Sequence, residues 1–245
     1  AMNFTMGGMS SGLVVMATAA HFVSGLSSEA LLYLNTAAGA GMAVGLFFVF
    51  MEIGRKIRFW RALMRPQSSW MTRETYCQGR ILHAARGIPA WRVGLIPTML
   101  VMSGLLEGVG LLGIASGLAS WRFDASMAFI STWGALLALA NMLIWQRYYA
   151  FAKRDGVPPL ARAELQKLTP ALRLVGHITP LVMFALATAF SESMLAIAGV
   201  AAVAGGVMWK FTVITRACHQ QGFAMPKMPQ RGSGDRAAPA RLGGL

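Results

Sequence analysis

The sequence predicts an all-α integral membrane protein, a bundle of about six transmembrane helices with an interfacial helix on its cytoplasmic face. Two observations carry this. Six apolar stretches, roughly 6–24, 30–52, 94–119, 127–149, 174–191 and 193–210, are each long enough to cross a hydrocarbon core as helix. Positive charge between them falls on one side: nine Lys/Arg in 53–93, six in 147–173, six from Lys210 onward, and Arg122 alone in the short turns, which accounts for all 22. Because basic loops stay in the cytoplasm, both termini and the two long loops are expected inside. The setting this implies is a bacterial inner membrane.

Composition agrees. The chain of 245 residues is 56% apolar and 13% charged, with mean hydropathy +0.53, well outside the range of soluble domains. A net charge of +13 would suit nucleic acid in a soluble protein. Here topology and anionic lipid account for it, so no nucleic-acid partner is expected. Six spans leave residues 1–228 as one transmembrane domain and 229–245 as a basic tail, disordered or ordered by a partner. Cys77 and Cys218 form no C-x-x-C pair, so neither an iron–sulfur cluster nor another metal site is expected in this chain.

The elements follow in order. The first two spans form a hairpin across 24–29. Gly8/Gly12, Gly41/Gly45, Gly104/Gly108 and Gly113/Gly117 are small-x-x-x-small pairs that let helix backbones approach; ordinary bundle packing explains them. Arg80, His83 and Arg86 recur at helical spacing within 75–93, suiting an amphipathic helix on the cytoplasmic leaflet. Trp91, Tyr148 and Tyr149 fall where an aromatic belt is expected. Pro180 is expected to loosen the fifth span after His177.

Four residues or groups invite a functional reading. Glu107 stands at the middle of the third span, where an ionisable side chain defaults to a functional hypothesis. It reads either as a proton relay or as a protonated carboxyl bonded to Asn141 or Asn35. His177, placed near the inner end of the fifth span, reads as a proton donor or as a satisfied interfacial histidine. Glu52 ends the second span and reads as a proton donor or as a partner of Arg55 or Lys56. Arg55, Arg58 and Arg61 share one face if their loop is helical, a face that suits a docked acidic protein or lipid phosphates. Haem b is not expected, since His21 and His177 lie at different depths and His83 and His219 lie outside the spans.

The run Glu52, Gly54, Arg55, Trp60, Ser69, Trp70, Met71, Thr72, Arg73, Glu74 resembles, in that order, the NrfD/DmsC-type membrane anchor subunits of complex iron–sulfur molybdoenzymes. Asn3-Phe4 with Gly7-Gly8 is similar to the start of the small anchor-like members associated with phenylacetyl-CoA:acceptor oxidoreductase. The resemblance covers about the first third of the chain. It implies a subunit that carries no catalytic residue for the main substrate, docks an iron–sulfur electron-transfer subunit linked to a molybdenum or tungsten pterin subunit, and exchanges electrons with ubiquinone or menaquinone. On this reading Glu52, Trp60, Trp70 and His177 line the quinone site. Glu107 relays protons, and Arg55, Arg58, Arg61 and Arg73 dock the partner. The intracellular face of the loop implies an intracellular substrate, a CoA thioester or sulfite. The alternative is a small proton-coupled transporter, for which six spans, Glu107 and a broken fifth span also serve.

Overall fold

The computed structural model describes residues 1–52, 82–85, 87–118, 127–154 and 157–218, with two short backbone segments beyond them at 227–228 and 238–239. Among these residues, six helices are long and apolar enough to cross a membrane. They are α1 (Met2–Ser24), α2 (Ser28–Glu52), α3 (Ile96–Leu118), α4 (Met127–Arg154), α5 (Pro159–Phe190) and α6 (Ser193–Arg216). This is a multi-pass membrane protein.

α3 and α6 form the centre. α3 packs on α1, α4 and α6; α5 closes the group against α4 and α6; α2 lies outside, along α1. Small residues set this arrangement. A Cβ on Gly12 would overlap the Gly104 carbonyl, and one on Gly108 would overlap Gly12. Gly110 likewise meets Gly199, and Gly176 meets Gly205. With no hydrophobic force between helices in lipid, such backbone contact supplies the packing attraction. All four glycine pairs predicted from sequence face neighbours within the bundle: Gly41 faces Ser10, Gly45 faces Met6, and Gly113 and Gly117 face α6. α2 buries a narrow stripe of Ala30, Leu34 and Ala38, whose i, i+4 spacing keeps them on the α1 side, and Gly45 further along against α1.

The α1–α2 hairpin is closed by local chemistry. Gly25 takes the left-handed conformation (φ 77°) that ends α1, a conformation a side chain would strain. Ser27 Oγ accepts a hydrogen bond from the Ala30 N–H, and His21 Nδ1 donates to the Leu26 carbonyl at 2.6 Å.

Three expectations change. The fifth span begins earlier, inside the predicted loop 147–173. Arg162, Glu164 and Lys167 lower the hydropathy there, yet Ala161, Leu165, Leu168 and Leu172 recur at helical spacing and are buried. Loosening of that helix also falls before Pro180, as a π-helical stretch, Leu172–Ile178. Proline lacks the N–H that Gly176 would otherwise receive four residues back. A second π stretch, Thr212–Arg216, ends α6. Finally, Tyr148 of the expected aromatic belt is fully buried inside the bundle, while Trp91 and Tyr149 are partly buried. Tyr148 Oη donates to the Ala90 carbonyl at 3.0 Å and Trp91 Nε1 to the Val213 carbonyl at 2.8 Å. These bonds pin the 3-10 turn Pro89–Trp91 to the end of the bundle. Of the predicted interfacial helix over 75–93, residues 75–81 and 86 lie outside the described residues; the rest form a short helical turn at 82–84 and the 3-10 turn Pro89–Trp91, not one continuous helix.

Two apolar clusters divide the bundle along its length. One, with Leu26, Phe129, Ala187 and Leu195, lies toward the short turns. The other, with Phe4, Ala90, Ile96, Trp145, Val157 and Val213, lies toward the N-terminus and the helix ends that flank the basic loops. The charge asymmetry of the sequence is therefore an asymmetry between the two ends of the bundle.

Candidate functional site

Where the clusters meet, the interior is polar. Glu107, midway along α3, receives both short contacts of Lys210 from α6, with Nζ 2.7 Å from each carboxylate oxygen. Neither side chain has any exposed surface. Ser103, one turn earlier on α3, lies 3.5 Å from Oε1. The pair fits because glycines leave room for it. A Cβ on Gly8 of α1 would lie 2.6 Å from Lys210 Nζ, and one on Gly206 of α6 would overlap the Glu107 carboxylate. Thus α1, α3 and α6 together form a cage of the size of one ammonium–carboxylate pair.

This overturns two expectations. Lys210 is not the first residue of the basic tail, and the partner of Glu107 is a lysine. Without Lys210, the three basic stretches of the sequence hold nine, six and five basic residues, or 20, against Arg122 in a short turn; Arg162, Lys167 and Arg173 of these are carried on α5, and the asymmetry along the sequence stands. Glu107 is not bonded to an asparagine. Asn141 Nδ2 donates to the carbonyls of Met102 and Leu137 at 3.0 and 2.8 Å, tying α4 to α3, and Asn35 lies on peripheral α2 with a buried, unpartnered Oδ1. The sequence carried a signal for the partner. A carboxylate at mid-span needs a cation, and Lys210 follows Gly206 by one turn in an otherwise apolar helix.

His177 is the second buried ionisable group. It lies in the π stretch of α5, is 4% exposed, and neither ring nitrogen has a well-formed hydrogen bond; the Gly176 backbone is close enough to act on the ring as a weak partner. Its neighbour Gly176 packs on Gly205, adjacent to the Gly206 that faces Glu107. His177 therefore lies near the depth of the ion pair, against a neighbouring face of α6, and not at the inner end of its helix. Trp145 Nε1 on α4 is also buried without a partner.

Of the other predicted site residues, Glu52 is the last residue of α2. Trp60, Trp70, Arg55, Arg58, Arg61 and Arg73 lie outside the described residues. The helix of Glu52 packs along α1, whereas the π stretch of His177 packs on α6 and α4. Among the described residues no group of three or more His, Cys, Asp or Glu is placed to hold a metal ion. No protein-family model, characterised protein or solved structure matches the chain.

Proposed function

We propose that this protein is the membrane anchor and quinone-reactive subunit of a molybdenum or tungsten iron–sulfur oxidoreductase. In this reading it passes electrons between a docked iron–sulfur subunit and ubiquinone or menaquinone in the bacterial inner membrane. The observation that carries the reading is the ordered run from Glu52 to Glu74, with its acid, Gly-Arg, tryptophans and Ser-Trp-Met-Thr-Arg-Glu. The end of α2 at Glu52 is consistent with the reading, which needs the run to follow the second span.

The chemistry is consistent. Quinone reduction needs an apolar site near a docked cluster and a group that delivers protons to the carbonyl oxygens. In this reading Glu52 supplies the proton-delivering group, and Trp60 and Trp70 supply aromatic surface and indole N–H donors for the ring. Arg55, Arg58, Arg61 and Arg73 present positive charge to an acidic partner. His177, deeper and on the α4/α6 side, is assigned outside this headgroup site. The intracellular position of the loop favours an intracellular substrate, a CoA thioester or sulfite.

Purification of the native assembly tests the reading. Co-purifying iron, molybdenum or tungsten, and bound quinone are expected; a chain isolated without metal-bearing partners would contradict it. The buried Glu107–Lys210 pair favours a second reading, a small proton-coupled transporter. That reading predicts the partner-free chain and a substrate flux that follows an imposed proton gradient.

A further inference from the structure

The pair at the α1–α3–α6 crossing has a property that a lone carboxylate lacks. Its charged form, carboxylate and ammonium, and its neutral form, carboxylic acid and amine, both have zero net charge. Moving the proton between them therefore buries no net charge. Lys210 Nζ is 2.7 Å from both oxygens, within the reach required for direct transfer. Buried ion pairs are weak stability devices, because apolar replacements of similar volume often serve as well. An ionisable pair kept in a membrane interior therefore calls for a role other than cohesion.

We propose that Glu107 and Lys210 form a proton-exchange site that controls the closure of α1 on α3 and α6. In the transfer, an N–H bond of the Lys210 ammonium breaks and an O–H bond forms on Glu107. The neutral pair attracts far less strongly, and the contacts that hold the two side chains against Gly8 and Gly206 slacken. The carboxylic acid then gives its proton to water entering the loosened crossing, and the amine recovers one from the same source, so atoms and charge balance. The π stretch Thr212–Arg216 begins two residues after Lys210. Such irregular turns often mark functional positions, and here one supplies slack in the helix that carries the lysine.

The groups acting on Glu107 among the described residues are Lys210 and Ser103. α1 contributes Gly8 at this point. Asn141 of α4 is engaged with backbone carbonyls. Arg173 and His177 of α5 lie beyond the Gly176–Gly205 contact. Lys210 is thus the cation that sets the state of the carboxyl. This inference does not rest on quinone or on partner subunits.

Infrared difference spectroscopy of the full chain in lipid, in H2O and in D2O across acid to alkaline buffers, tests it. A carboxylic-acid band is expected that shifts in D2O, disappears in Glu107→Gln and moves in Lys210→Met. The double variant Glu107→Gln/Lys210→Met, which keeps no charge in the cage, serves as the folded control, and Glu107→Asp should restore a displaced band. If the wild-type carboxyl holds one protonation state throughout, or its band does not respond to D2O, the pair is an inert ion pair and the proposal fails.

Discussion

Glu107 and His177 lie against different faces of α6, near one depth, and both are buried, yet their surroundings differ. Glu107 has a cation on both oxygens and a serine beside it, inside a space shaped by glycines from α1 and α6. His177 has no well-formed hydrogen bond on either nitrogen, only the Gly176 backbone nearby, and Trp145 on the helix facing that π stretch has none on its indole N–H. The first region is complete as it stands. In the second, buried polar atoms have unused bonding capacity, a condition that costs about 1–3 kcal/mol per group. Burial alone therefore does not identify a site; the state of its partners does.

The largest expected effect comes from unbalancing the complete region. Glu107→Gln or Lys210→Met alone strands one buried charge and should cost about 3–5 kcal/mol, visible as a large fall in thermal unfolding temperature in detergent. Next, Gly206→Ala places a Cβ on the Glu107 carboxylate. It should cost about 1–3 kcal/mol through overpacking, while Gly39→Ala, with open space at its Cβ, should gain a few tenths. Equal effects at the two glycines would mean that the cage is not tightly packed. Trp91→Phe removes the bond to the Val213 carbonyl and should cost about 0.5–1.5 kcal/mol; increased proteolysis near residue 91 would report release of that turn. The smallest effect is expected at the incomplete region. His177→Leu removes unpaired nitrogens and should leave stability unchanged or raise it by about 1 kcal/mol. A clear loss would mean that His177 has a partner after all, and the contrast with Glu107 would close.

Much of the fold was legible because hydropathy reports lipid exposure directly. The first, second, third and fourth spans begin within a few residues of their predicted starts. The fifth was misjudged because α5 starts as an amphipathic helix. Arg162, Glu164 and Lys167 hide a buried stripe of Ala161, Leu165, Leu168 and Leu172. Hydropathy averages the faces of a helix, and periodicity separates them. The polar layer was half legible. Glu107 stood out as a carboxylate in mid-span, but Lys210 stood at the edge of an apolar run and read as the start of a tail. What places it inside is the crossing of α6 with α1 and α3, a long-range contact between residues 8, 107 and 210 that no local window contains. The same holds for His177, whose depth follows from the Gly176–Gly205 contact rather than from its distance to the end of a hydropathy peak. The motif run after Glu52 was legible as a pattern of residue types, and its geometry falls outside the described residues.

The account depends most on Glu107 and Lys210 acting as one unit across α3 and α6. A double-mutant cycle on thermal stability measures this directly, using the wild type, Glu107→Gln, Lys210→Met and the two combined. The double variant should recover most of what either single change loses, because it leaves no unpaired charge in the cage, giving a coupling of about 3 kcal/mol. Additive losses, with the double variant as unstable as the sum of the singles, would contradict the pair and the polar layer built on it.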